Sequence, residues 1–233
     1  MRAVIPVAAL AVAGAPVAAH AQSGPEQIEQ LEPGPGEWQA QYSGAYGGAD
    51  SHALEIARGF GRGLALGVGA ELEAVRGHAE LDGLSAVALV RLIDHADRPA
   101  RIGVMGEVSI DRGGRFSGGE LRGIAESESR HWWLQANLML RYRREDGEAG
   151  TSLAYVVSVQ RGPAPFWYGI EGSGRAARIG GDAEVASRGE HYLGPSITYR
   201  HQGSGTEIGL AWMVRLAGGG APSGPRAFVQ VDF

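Results

Sequence analysis

The chain contains no cysteine and no lysine, and beyond its first residues it has no apolar run long enough to cross a membrane as a helix. Each absence excludes something. Without cysteine there can be no disulfide, no thiol nucleophile and no thiolate ligand for zinc or an iron–sulfur cluster. Without lysine every basic side chain is an arginine. The 21 basic residues are outnumbered by 26 acidic ones, for a net charge of −5. Such a balance gives no general attraction for nucleic acid, so no nucleic-acid partner is expected. The 38 glycines follow no G-X-Y period, which excludes collagen. A hydrophobic fraction of 44% is too high for a disordered chain.

What is present begins with an address. Met1-Arg2 is followed by an apolar stretch from Ala3 to Ala19, interrupted by Pro6 and Pro16, and then by Ala19-His20-Ala21. This pattern predicts a secretory signal peptide over residues 1–21, cleaved near Ala21. Residues 22–36 (QSGPEQIEQLEPGPG) are acidic and rich in proline and glycine. Pro33 and Pro35 forbid a continuous helix. Two readings stay open for this segment, a periplasmic tether and a plug that folds into a barrel lumen.

From residue 37 to 233 the hydrophobic period is 2 rather than 3.6. Between Arg130 and Arg144, one set (Trp132, Leu134, Ala136, Leu138, Leu140, Tyr142) is apolar. The interleaved set (Trp133, Gln135, Asn137, Met139, Arg141, Arg143) is mostly polar. A strand gives these sets separate faces, whereas a helix would scatter the arginines around its surface. The same split recurs along the chain, punctuated by turn formers such as Gly61-Arg62-Gly63, Glu145-Asp146-Gly147 and Gly203-Ser204-Gly205. The expected strands cover 37–48, 51–61, 63–76, 83–94, 99–111, 118–127, 130–144, 149–161, 165–177, 189–201, 205–217 and 225–233. Globular strands have about 5 to 6 residues, and tilted membrane-crossing strands need about 9 to 11. The fold class predicted is therefore all-β, a single closed antiparallel transmembrane β-barrel of about 12 strands.

The last strand ends Phe228-Val229-Gln230-Val231-Asp232-Phe233, with Val229, Val231 and Phe233 on one face. It resembles the terminal strand of bacterial outer-membrane β-barrel proteins. The resemblance implies that these three residues act as the assembly signal, read by the barrel-assembly machinery in the outer membrane of a Gram-negative cell. Glu37 to Leu66 also resembles small proteobacterial outer-membrane proteins of transporter type. An even strand number returns both chain ends to the periplasmic side. On that orientation Trp38, Phe60, Trp132, Trp133, Phe166, Trp167, Tyr168, Tyr199 and Phe233 form an inner aromatic girdle, and Tyr46, Phe116, Tyr142 and Tyr192 a weaker outer one.

In such a barrel the polar face lines the lumen. The lining residues expected are Glu71, Glu73, Arg91, Glu107, Glu120, Arg122, Arg141, Arg143, Glu171, Arg175, Arg200, Glu207 and Arg215. Confined charges must be paired or wet, so a ladder of arginine–carboxylate pairs is predicted. Twelve strands lie between the filled eight-stranded barrel and the wide channels of 16 to 18 strands. The function expected is a narrow channel or transporter for a small solute, with outer-membrane lipid as the other partner. The alternative is a closed structural barrel. A lipid-modifying enzyme is the weakest reading, because no His-x-Ser pair and no Gly-x-Ser-x-Gly elbow occurs. Asp94-His95 lies in a predicted turn without a partner nucleophile. No cofactor or metal is expected.

Overall fold

The computed structural model describes residues 27–46, 50–61, 63–75, 78–94, 100–183, 185–186, 188–201 and 203–233. The expected signal peptide, the start of the 22–36 segment and His95 lie outside the described residues.

Twelve strands follow one another: β1 (Trp38–Ala45), β2 (Ser51–Phe60), β3 (Leu64–Val75), β4 (His78–Ile93), β5 (Ala100–Asp111), β6 (Phe116–Glu128), β7 (Trp132–Glu145), β8 (Glu148–Arg161), β9 (Phe166–Gly181), β10 (Glu190–His201), β11 (Thr206–Ala217) and β12 (Gly224–Asp232). Each pairs antiparallel with its neighbours in sequence, and β1 pairs with β12, so the sheet closes. The seam runs from Gln39 opposite Asp232 to Ala45 opposite Arg226. It is sealed at one end by reciprocal 2.8 Å backbone bonds between Trp38 and Phe233. That end, where the chain termini of the barrel meet, is called the terminal end below; the other is the far end.

Local sequence explains the turns. Between β7 and β8 only Asp146 and Gly147 intervene, with φ of 48° and 91°. Two successive positive φ values make the type I′ hairpin, whose twist matches that of the flanking strands, and Asp-Gly is a favoured pair for it. The sequence and the structure differ most in β4, which starts at His78 rather than at residue 83. A register shift after Glu71 sets Gly83 opposite Glu71 but Leu81 opposite Leu72. The extra residue inverts the in–out phase, so a strictly period-2 pattern breaks there although pairing continues.

Side chains divide by parity. Large apolar residues from every strand face outward and are exposed, among them Leu54, Leu66, Leu121, Leu138, Leu210 and Trp212. Buried charged and amide side chains face inward, including Arg122, Glu126, Gln135, Asn137, Glu171 and Glu207. This arrangement is the reverse of a water-soluble domain.

Three of the expected girdle aromatics point the other way. Trp133 and Trp167 are inside the barrel, at 1% and 3% exposure, with ring centroids 6.0 Å apart and planes at 64°. Parity accounts for this. Trp132 already takes the outward position beside Trp133, and Phe166 and Tyr168 take those flanking Trp167. Tyr192 is likewise buried, and its hydroxyl donates to the Ala221 carbonyl at 2.9 Å.

Candidate functional site: the lumen and its vestibule

Arginines on alternate positions of β5, β6, β7, β10 and β12 reach carboxylates on the same or neighbouring strands. Arg122 Nε binds Glu120 Oε1 at 2.6 Å, and Arg141 binds Glu120 Oε2 through Nε at 2.7 Å and Nη2 at 2.5 Å. Glu120 is thus held between two guanidinium groups. Near the terminal end Arg101 pairs with Glu126 at 2.5 Å and with Glu32 at 3.4 Å. Arg200 there joins Glu207 and Glu128, each at 2.8 Å, and its guanidinium lies 4.0 Å from the Trp133 ring centre, a cation–π contact. On the opposite wall Arg226 pairs with Glu171, and Arg175 approaches Glu190 at 3.9 Å.

The residues expected to line the lumen fall into four places. Arg91, Glu120, Arg122, Arg141, Glu171, Arg200 and Glu207 lie in its middle and at its terminal end, within the paired network. Arg175 sits on β9, beside Glu190 near the far end. Glu71, Glu73, Glu107 and Arg143 border an open vestibule. Arg215 sits at the far rim, where it is exposed and donates to the Gly220 carbonyl.

The vestibule has a volume of about 340 Å³. Its charges are largely segregated, with Glu145 on β7 the exception. Glu55, Glu71, Glu73 and Glu107 project from β2, β3 and β5, while Arg122, Arg141, Arg143 and Arg226 project from β6, β7 and β12. Three of these arginines, Arg122, Arg141 and Arg226, are bonded to Glu120 or Glu171. Among the described residues that line the vestibule, β2, β3 and β5 contribute no arginine, so the acidic side's field faces the cavity.

Gln27 and Glu29 form the floor. They belong to a stretch, Gln27–Gly36, that lies within the ring of strands. Leu31 (1% exposed) packs with Ala65, Val87, Leu89, Met105 and Ile124, and Ile28 packs with Met139, Ala154 and Val156. Asn137 accepts from Glu29 N at 2.6 Å and donates to Glu29 O at 3.1 Å. Glu126 accepts from Leu31 N at 3.0 Å, and Arg91 Nε donates to Leu31 O at 2.9 Å. Gln30 donates to Glu207 at 2.7 Å. Periodicity could not have assigned Asn137, Glu126 and Arg91 to this stretch. The only sequence signal was Ile28 and Leu31, two isolated apolar residues in a polar run.

No family model matches the sequence, and no curated protein matches it. Solved structures do match by shape. A KdgM porin aligns over 84% of this chain and 98% of its own, with a TM-score of 0.53 and 12% identity. A KdgM porin in complex with disordered oligogalacturonate aligns over the same shares, with a TM-score of 0.53 and 10% identity. At these identities the likeness concerns the fold: this chain has the closed, antiparallel, twelve-stranded barrel architecture matched among porins.

Proposed function

We propose that the protein is an outer-membrane channel for small solutes, and that its acidic vestibule favours cationic or zwitterionic solutes over polyanions. The observation that carries this reading is the inverted distribution of side chains. A closed barrel with leucine, isoleucine and valine exposed on every side would be an aggregation hazard in water, where monomers rarely expose more than a few hundred Å² of contiguous apolar surface. In lipid the same belt is buried, and closure leaves no strand edge to satisfy.

Aromatics flank the belt in support. Trp38, Phe60, Trp132, Phe166 and Phe233 are exposed on the outer face toward the terminal end. Arg58 lies over the Trp38 and Phe60 rings and Arg161 over Trp132, placing cations where lipid headgroups would be. Phe116 and Tyr142 stack outside at the far end.

The similar fold belongs to a porin, which supports a channel; its oligogalacturonate, a polyanion, does not suit this vestibule. The acidic wall of Glu55, Glu71, Glu73 and Glu107 would repel such a solute. Current recorded across a lipid bilayer under a salt gradient tests both parts. Discrete current steps with a reversal potential of cation-preferring sign are expected; an anion-preferring sign would contradict the solute class. The second reading, a closed structural barrel, is favoured by one observation, the packing of Gln27–Gly36 across the lumen. That reading requires a barrel that never conducts.

A further inference from the structure

We infer that residues 27–36 are a displaceable gate for this channel rather than a fixed part of its wall, an inference that rests on the channel reading above. The first reason is placement. The stretch forms the floor of the vestibule through Gln27 and Glu29 and continues toward the terminal end, where Gly36 N bonds Gly59 O at 3.0 Å. A solute leaving the vestibule for the terminal end meets it.

The second reason is that the wall is built to receive it. Val87, Leu89, Met105, Ile124, Met139 and Val156 all face inward, on a wall that elsewhere carries charged, amide and hydroxyl groups together with Trp133, Trp167, Tyr192 and Met213. They gather in two sockets, and Leu31 and Ile28 fill them. Apolar residues facing a water-filled lumen would have no partner. Gly103 completes the Leu31 socket: a Cβ there would stand 2.5 Å from Leu31 Cδ2, and 2.9 Å from the Val90 carbonyl oxygen of β4. Gly59 allows the same closeness lower down, since a Cβ there would overlap the Gly34 carbonyl.

The third reason is that the contacts are separable from the barrel. Residues 27–35 join no strand. The backbone bonds of Gln27, Glu29 and Leu31 to the wall run to side chains: Asn137, Glu126, Arg91, and Arg122, which donates to Gln27 O at 3.2 Å. Water can replace each of these partners when the stretch leaves, and no rung of the ladder breaks. Gly36, with φ of 84°, stands where the stretch meets the barrel and supplies a hinge conformation that other residues resist.

The absence of cysteine makes a direct test available. Leu31→Cys combined with Gly103→Cys in the full mature chain places two thiols at the socket, with no native thiol to compete. Leu31→Asp, made separately, puts a charge where the socket is apolar and should eject the stretch. Both proteins and the wild type are recorded in planar bilayers. The oxidised pair is expected to conduct less than a tenth as often as the same protein after reductant. Leu31→Asp is expected to stay open several-fold longer than wild type. If the wild type conducts and neither locking nor ejecting changes its open time, the gate is refuted while the channel stands. If none of the three proteins conducts, the channel reading itself falls and the gate with it.

Discussion

Glu120 shows what a lumen carboxylate requires. It is 6% exposed at its side chain, and two arginines share its oxygens. A carboxylate so placed would be costly alone, and the paired guanidinium groups offset that cost. Replacing Arg141 by Ala removes one of the two guanidinium groups that hold Glu120. The expected loss is about 1.5–3 kcal/mol, the size of a hydrogen bond to a charged group. It should appear as a lower urea midpoint for unfolding in detergent micelles, and an unchanged midpoint would show that Arg141 is not needed to hold Glu120. Glu29 and Glu32, on the stretch inside the lumen, give a pH dependence. Burial raises both carboxyls above their ordinary value of 4.5. Arg122 opposes this for Glu29, with Glu120 and Glu107 adding to the rise and Gln41 bonding it. Glu55 also lies near Glu29. Arg101 opposes the rise for Glu32, with Asp232 and Glu126 adding to it. A raised carboxyl holds its proton more tightly in the docked state. Docking is therefore fully favoured below pH 4.5 and weakens as pH rises through the raised values. Open probability should rise as pH increases above 4.5, and Glu29→Gln with Glu32→Gln should flatten that rise. A fall with pH, or an equal rise in the double variant, would contradict it.

The strands were largely legible because each carries its own period-2 signal, and eleven turns rich in glycine and polar residues separate them. Legibility failed where two rules met. Trp133 obeys parity and faces inward, although an aromatic at a strand end suggests a girdle; its neighbour Trp132 holds the outward place. The β4 start was hidden by the register shift after Glu71, because a bulge changes phase without ending the strand. The stretch 27–36 could be read only as tether or plug, since Leu31 draws its partners from β3, β4, β5 and β6, far away in sequence. In the last strand, Val229 faces outward and Phe233 is 67% exposed. The Phe233 ring therefore contributes little to the barrel itself, while its backbone closes the seam with Trp38. Phe233→Ala should refold in lipid vesicles as well as wild type does, yet reach the outer membrane at a level several-fold lower in cells, as fractionation would show. Equal levels in the outer membrane would remove the assembly role proposed for Val229, Val231 and Phe233.

Seen whole, the molecule is a barrel with a polar interior, an apolar exterior and a one-sided vestibule. By count alone the expected lining is mixed, with arginines and carboxylates in similar numbers, and a mixed lining gives little ion preference. The fold separates them: Glu55, Glu71 and Glu73 stand on neighbouring strands, and the network consumes three of the four facing arginines. Charge order around the ring, not charge count, sets the field in the cavity, and order depends on strand register that no local pattern encodes. Neutralising the acidic side with Glu71→Gln and Glu73→Gln should move the reversal potential toward zero without lowering stability, because neither side chain is fully buried. A reversal potential identical to wild type would place selectivity elsewhere.

The decisive test is single-channel recording of the purified chain lacking residues 1–21, and of its Leu31→Asp variant, in a planar bilayer under a tenfold potassium chloride gradient. Both should give discrete current steps, more persistent in the variant, reversing at a potential of cation-preferring sign. Silence from both proteins, with the barrel verified as folded by its β-sheet circular dichroism, would contradict the channel reading.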